Sequence, residues 1–124
     1  MRRGWKRKME TGKIKLVAAD MDGTLLNRDR KITQYTQNVI KKAMAQGVYF
    51  VPATGRAVNA LPPELKEMEG ICYGIFSNGA TIYDLKEEKV IYKNHFEMDR
   101  VLELMDFLKQ FDLMESISLN GQSY

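Results

Sequence analysis

Two aspartates separated by a single residue are the side chains of this sequence best suited to chemistry. Asp20 and Asp22 belong to the segment Asp-Met-Asp-Gly-Thr at residues 20–24, which directly follows the apolar run Ile14–Ala19. Because side chains alternate along an extended strand, both carboxylates are expected to face the same way. One member of such a pair can attack phosphorus and form a phosphoaspartate. The other can give a proton to the leaving oxygen and then take one from water.

A metal ion fits the same segment. Two adjacent carboxylates repel each other and an incoming phosphate, and a hard cation such as Mg²⁺ relieves both repulsions. The sequence therefore predicts Mg²⁺ held at Asp20 and Asp22. Gly23 lets the backbone leave the strand sharply, and the Thr24 hydroxyl can hold the loop or a carboxylate. The alternative interpretation is a polar turn that has no catalytic role.

Two further polar segments follow apolar strands. Thr54, Gly55 and Arg56 come after the run at residues 48–53, and Asn78 lies in the segment Ser-Asn-Gly-Ala after the run at residues 71–76. A hydroxyl and backbone amides at a helix start can bind phosphate, although a threonine there can also serve only as an N-cap. Arg56 could contact phosphate or form a surface ion pair. Asn78 is interpreted as lining the site.

The elements that must position these residues alternate between strand and helix. Strands are predicted at residues 14–19, 48–53 and 71–76. Thr33 is expected to cap a helix that runs to about Gln46, and shorter helical segments are expected at residues 57–61 and up to Met68. This order predicts an α/β fold with a parallel, three-layer sheet in which the first strand is buried on both faces. Ligands bind beyond the carboxyl ends of such strands, so the three polar segments should converge.

The remaining chain predicts a hairpin, a helix and a strand. The hairpin pairs Thr81–Asp84 with Val90–Tyr92, and the helix runs from about Asp99 to Phe111. The strand at residues 116–119 meets Asn-Gly at 120–121, a hairpin-turn pattern, yet no second strand is evident. His95 is expected to have a surface or packing role, and Cys72 is expected to be a small core residue.

Composition excludes several classes of protein. Charged residues make up 28% and hydrophobic residues 44% of the 124 residues, which is typical of globular proteins. No apolar stretch approaches the roughly 18 residues of a membrane span, and no secretory signal is apparent. The single cysteine, Cys72, fits a reducing compartment, and we expect the cytoplasm.

The net charge of +3 comes from the beginning of the chain. Residues 1–12 hold five basic side chains and one acidic one, whereas residues 13–124 hold 14 basic and 15 acidic ones. A solvated basic tail is the favoured interpretation, and an arm for RNA or anionic lipid is the alternative. We therefore predict no specific nucleic-acid partner and no membrane partner.

These motifs resemble those of the haloacid dehalogenase (HAD) superfamily of phosphohydrolases, and most closely its Cof-type, class IIB branch. Residues 20–26, Asp-Met-Asp-Gly-Thr-Leu-Leu, match the family's first motif, and residues 53–56, Ala-Thr-Gly-Arg, match the second. Residues 77–80 with the following hairpin are typical of the branch.

The resemblance implies a role for each matched residue. Asp20 would be the nucleophile and a Mg²⁺ ligand. Asp22 would be the general acid/base and give its backbone carbonyl to the metal. Thr54, Gly55 and Asn78 would bind phosphate. The implied substrate is a small phosphorylated metabolite such as a sugar phosphate.

The resemblance also implies a division of the chain. It comprises a basic tail (1–12), the first half of a Rossmann-like HAD core with a β-hairpin (13–96), and the start of an α+β cap (97–124). The family's later lysine and acidic pair have no match here, nor do two strands that should flank the first one. The resemblance therefore implies a truncated chain that is weakly active or inactive, with an open apolar sheet edge that could self-associate.

Two other classes of function stay open. One is a non-catalytic interaction module, or a half-enzyme that needs a partner chain. The other is a response-regulator receiver, which the position of the aspartates disfavours, because the later strands end in Thr54 and Ser77.

Overall fold

The computed structural model describes residues 14–114, 117–119 and 122–123. Five strands form one sheet in the order β1-β2-β3-β4-β5. These strands are β1 (Leu16–Asp20), β2 (Tyr49–Ala53), β3 (Tyr73–Phe76), β4 (Thr81–Asp84) and β5 (Lys89–Lys93). The β1–β2 and β2–β3 pairs are parallel, and the two following pairs are antiparallel. The predicted α/β, Rossmann-like fold and the hairpin are therefore confirmed.

The first strand is exposed, contrary to the expectation of a strand buried on both faces. Ile14, Leu16 and Val17 are 58%, 55% and 38% exposed. β1 lies at the edge of the sheet, and within the described part of the chain only β2 pairs with it. An apolar sequence shows only that a strand can be buried, because burial needs neighbours on both sides. The expected open apolar edge is confirmed for these residues.

The core is built from the strands and from the segments that connect them, and β2 is buried on both faces, since Phe50 and the following Val51 are both buried. The buried cluster of the core comprises Met21, Leu26, Ile32, Ile40, Phe50, Leu61, Leu65, Met68, Ile71 and Phe76. Met21 and Phe76 are completely buried, and each adjoins a polar segment of the candidate site. Cys72 is half-buried and precedes β3, so its expected place inside a core strand is wrong.

Helix α1 (Gln34–Ala45) has the predicted cap, since the Thr33 side chain accepts a hydrogen bond from the Thr36 N–H at 3.2 Å. The segment expected to be a helix at residues 57–61 is instead a single 3₁₀ turn at Val58–Ala60. Helix α2 (Pro63–Lys66) is a single turn with proline at its first position. Pro62 and Pro63 lack the backbone N–H that a longer helix would need, which limits both segments.

The last part of the described chain contains helix α3 (Met98–Leu108) and a small hairpin. Strand β6 (Ser118–Leu119) pairs antiparallel with β7 (Gln122–Ser123). The expectation that this hairpin lacks a second strand is therefore wrong. The predicted Asn-Gly turn at 120–121 and the basic tail at 1–12 lie outside the described residues. None of the helices described is both long and apolar enough to cross a bilayer.

Candidate active site

Strand register brings the three polar segments to one edge of the sheet. Asp20 at the end of β1 is paired with Ala53 of β2, and Ala53 is paired with Ile75 of β3. The residues that follow these three positions therefore leave the sheet side by side. The predicted convergence of residues 20–24, 54–56 and 77–80 is confirmed.

The two aspartates are exposed on either side of a completely buried methionine. Asp20, Met21 and Asp22 are exposed, buried and exposed in turn, as expected for side chains that alternate along an extended chain. Asp22 still has extended backbone angles (φ −74°, ψ 119°), and Gly23 at φ 78° then turns the chain. Met21 anchors the segment in the core and leaves both carboxylates facing solvent.

Hydrogen bonds stabilise the turn after β1. The Thr24 hydroxyl donates to Oδ2 of Asp20 at 3.2 Å, which is the contact with a carboxylate predicted for Thr24. The Leu26 N–H donates to the Met21 carbonyl at 2.9 Å and closes the turn. The carboxylate of Asp20 is therefore held by one side chain while it stays exposed.

Arg56 joins the second polar segment to the first. Its Nε–H donates to Oδ2 of Asp22 at 2.9 Å, and its Nη2 donates to Oδ1 at 2.6 Å. A third bond runs from Nη1 to the carbonyl of Ala60 at 3.2 Å. Of the two roles considered for Arg56, the structure shows an ion pair, and its partner is the second aspartate of the motif.

This ion pair shifts the protonation of Asp22. The hydrogen bonds from Arg56, assisted by its positive charge, lower the pKa of Asp22 below the ordinary value for aspartate. The same contact raises the pKa of Arg56. The structure therefore favours the ionised form of Asp22, which is the form that accepts a proton.

Thr54 is buried, and its hydroxyl is engaged within the segment. Its Oγ1 accepts a hydrogen bond from the Arg56 N–H at 3.1 Å, and its own N–H donates to the carbonyl of Ile75 at 2.9 Å. Thr54 thus stabilises a turn. The helix expected to begin here is absent, because only the 3₁₀ turn follows.

The third segment packs closely against the second. A Cβ at Gly55 would lie 2.8 Å from Oδ1 of Asn78, so only glycine allows this approach without movement of the amide. Ser77 and Asn78 both have positive φ angles, 50° and 55°. Two backbone bonds hold this uncommon conformation, from the Ser77 N–H to the Arg56 carbonyl and from the Asn78 N–H to the Thr54 carbonyl.

The geometry brings two exposed carboxylates next to a buried threonine hydroxyl and a closely packed asparagine amide at one edge of the sheet. A family model of haloacid dehalogenase-like hydrolases matches residues 17–124. The chain belongs to this family. The predicted resemblance to the HAD superfamily is thereby confirmed. The motifs that match are those of the N-terminal portion of such proteins.

Known proteins similar to this HAD chain include phosphatases. It is 36% identical over 89 residues to a 5-amino-6-(5-phospho-D-ribitylamino)uracil phosphatase of Bacillus subtilis, a match that covers 68% of this chain and 36% of that protein. It superimposes with a TM-score of 0.74 and 30% identity on a HAD phosphatase from Bacteroides thetaiotaomicron, covering 89% of this chain and 40% of that one. A HAD subclass IIB sugar phosphatase matches with a TM-score of 0.65 and 31% identity, covering 77% and 37%. The chain therefore spans roughly two fifths or less of the length of these relatives.

The donor atoms of the two aspartates suit Mg²⁺ in type. Asp20 offers an exposed carboxylate, and Mg²⁺ is commonly held by one or two carboxylates together with water and phosphate oxygens. Both oxygens of the Asp22 carboxylate contact Arg56. The family resemblance, and not this contact, implies that the backbone carbonyl of Asp22 would face the metal. The described residues contain no group of three acidic, histidine or cysteine side chains able to hold a metal.

The sequence predicted the role of His95, but it did not predict the contact that Arg56 makes. The ring Nε2 of His95, an exposed residue, lies 3.1 Å from the hydroxyl of buried Thr81, which agrees with the expected surface or packing role. The contact between Arg56 and Asp22 was not predicted. The available signal was charge, since Arg56 follows a predicted strand end beside an acidic pair.

Proposed function

We propose that this HAD chain carries the nucleophile and the acid/base of a phosphohydrolase that works through an aspartyl-phosphate. The observation that carries the proposal is the register that places the exposed Asp20 and Asp22 beside the segments of Thr54 and Asn78. Family membership and the phosphatases among its relatives support it.

The proposed reaction has two steps. A carboxylate oxygen of Asp20 attacks phosphorus, the bond from phosphorus to the substrate oxygen breaks, and that oxygen takes a proton from Asp22. Asp22 then takes a proton from water as the water oxygen attacks phosphorus. The bond to Asp20 breaks, inorganic phosphate leaves, and both carboxylates return to their starting forms.

The contact with Arg56 affects the two steps differently. The second step needs Asp22 ionised, which is its form after the first step, and the contact with Arg56 stabilises that form. The first step needs Asp22 protonated, so the same contact disfavours it.

The remaining site residues would bind the transferred group. Thr54, Gly55 and Asn78 lie on the two segments nearest the aspartates, and their hydroxyl, backbone and amide groups can bond phosphate oxygens. Mg²⁺ at Asp20 and the Asp22 carbonyl would neutralise charge on the carboxylate and the phosphate. We expect weak turnover from this chain alone, because the described residues supply few of the charges that stabilise such a transition state.

The proposed substrate class is small phosphorylated metabolites such as sugar phosphates. Its support is the likeness to a sugar phosphatase and to an enzyme whose substrate carries a phosphoribityl group. The free thiol of Cys72 fits the cytoplasm as the compartment. We also propose that residues 13–96 belong to the core domain and that a cap domain starts at residue 97.

A half-enzyme that associates through β1 is the second candidate. The open apolar edge at Ile14, Leu16 and Val17 favours it, because an unpaired strand is a template for another strand. The proposed partner is another chain that pairs with this edge and supplies the remaining catalytic groups. Self-association of this chain can use the same edge, and no nucleic acid or membrane is proposed.

The test of function is hydrolysis of an aryl phosphate by the purified 124-residue chain, with Mg²⁺ or with a chelator. We expect weak turnover that needs Mg²⁺ and disappears in Asp20→Asn. The aspartyl-phosphate should be trapped as an acid-stable, hydroxylamine-sensitive phosphoprotein that accumulates in Asp22→Asn, where the second step lacks its base.

The matched control is Arg100→Lys, which alters an exposed ion pair on α3. Its turnover should equal that of the unmodified chain. Turnover that survives in Asp20→Asn would contradict the nucleophile. A folded chain without any Mg²⁺-dependent turnover or phosphoprotein would favour the half-enzyme.

A further inference from the structure

The contact between Arg56 and Asp22 is the most completely anchored side-chain interaction at the site. The guanidinium of Arg56 contacts both oxygens of Asp22 and the carbonyl of Ala60. Such a planar fork sets the direction of a carboxylate as well as its distance. Two other ion pairs in the described part of the chain, Arg100–Glu103 and Lys109–Asp106, are exposed contacts between residues three positions apart at α3.

The backbone of Arg56 is held on both sides. Its N–H donates to the Thr54 hydroxyl, and its carbonyl accepts from the Ser77 N–H at 3.0 Å. Its side chain is 26% exposed, whereas that of Asp22 is 53% exposed. Arg56 is therefore the more firmly held residue of the pair. The position of the more exposed Asp22 side chain depends on its bonds to Arg56.

The contact of Arg56 with both oxygens of Asp22, which we call the clamp, leaves part of the Asp22 carboxylate free to exchange a proton. A carboxylate has about four lone-pair positions, and the fork of Arg56 occupies two of them. The other two can meet a substrate oxygen or a water while the clamp stays closed. Arg56 can thus orient Asp22 without blocking it.

We propose that Arg56 is a positioning residue that fixes the orientation of the Asp22 carboxylate by holding both of its oxygens. Its value for catalysis rests on the proposed function, in which Asp22 transfers protons. Its effect on the orientation of Asp22 does not depend on that function. Arg56 is accordingly not assigned to bind the phosphate of the substrate.

The test measures the side-chain rotamer of Asp22 by NMR in the 124-residue chain, from the three-bond couplings of its Cγ to the backbone N and C′. The unmodified chain should show one dominant rotamer. Arg56→Lys keeps the charge and loses the fork, so the couplings should move to averaged values. Arg100→Lys, the matched control, should leave them unchanged. A single unchanged rotamer in Arg56→Lys would overturn the proposal.

Kinetics on the aryl phosphate separate positioning from substrate binding. With Mg²⁺, Arg56→Lys should lower kcat about ten- to a hundred-fold, the scale of a misplaced catalytic group, and leave KM within about twofold. A raised KM with unchanged kcat and an unchanged Asp22 rotamer would identify Arg56 as a phosphate ligand and overturn the proposal. If the unmodified chain shows no turnover, the proposed function fails, and the couplings still decide the positioning.

A second variant, Asp22→Asn, tests the proposal independently in case Arg56→Lys does not fold. In Asp22→Asn, the Arg56 Nε–H loses its charged acceptor, and its exchange with solvent should become several-fold faster than in the unmodified chain. Equal exchange in the two folded proteins would show that the clamp is absent in solution and would overturn the proposal.

Discussion

At the scale of single residues, the pairing of Asp22 with Arg56 makes stability depend on pH. Arg56 lowers the pKa of Asp22 below its ordinary value of 3.8. A carboxylate with a lowered pKa contributes stability above its unfolded pKa, and the contribution is lost as the pH falls through the folded one. The pair should therefore stabilise the fold at neutral pH and stop doing so in acid.

The measurement compares urea unfolding of the unmodified chain and of Asp22→Asn, with a chelator present, between pH 7 and pH 2. The unmodified chain should be the more stable at neutral pH, and the difference should shrink as the pH falls below about 4. High salt at pH 7 should also reduce it, because the pair is exposed. A difference that stays constant across this range would refute the assignment.

At the scale of elements, the strand ends and α1 follow from local patterns. The cap of α1 is the clearest case, since Thr33 precedes the helix and its hydroxyl accepts the Thr36 N–H. The 3₁₀ turn at Val58–Ala60 shows where the helical pattern failed, because Pro62 and Pro63 follow it closely and cannot continue a regular helix. The strained Ser77 and Asn78 likewise depend on bonds to the neighbouring segment.

Replacing the cap tests the first of these points. Thr33→Ala should lower the free energy of unfolding by about 1 kcal/mol, because the Thr36 N–H loses its acceptor. Thr33→Ser keeps a hydroxyl and should lose only a small part of that stability. Thermal or urea unfolding measures both. Equal losses in the two variants would point to the threonine methyl group instead of the cap.

At the scale of the whole molecule, the open edge of β1 governs association. Leu16 is 55% exposed on this edge, and a lysine there would place charge where another strand would pair. Leu16→Lys should therefore reduce concentration-dependent self-association in sedimentation velocity. Tyr35→Lys, at a 79% exposed position on α1, is the matched control and should associate as the unmodified chain does. Equal association of all three proteins would exclude the edge as the interface.

The fold class was predictable because three apolar strands alternate with helical segments, and few arrangements can bury them. The place of the site was predictable for a related reason. Parallel strands share a carboxyl edge, so the residues after Asp20, Ala53 and Ile75 had to meet once the register was formed. The roles of Asp20, Asp22, Thr54, Gly55 and Asn78 stay predictions, which the activity measurements test.

Local patterns in the sequence are enough to show which residues gather at the edge of the sheet, because periodicity and strand ends are local properties of the chain. Tertiary structure alone decided what those residues contact. Asp22 and Arg56 are 34 residues apart in the sequence. Whether they bond depends on how the segments after β1 and β2 are placed relative to each other. The exposure of β1 is also a tertiary property, because an apolar strand is buried only when other elements of the fold cover it.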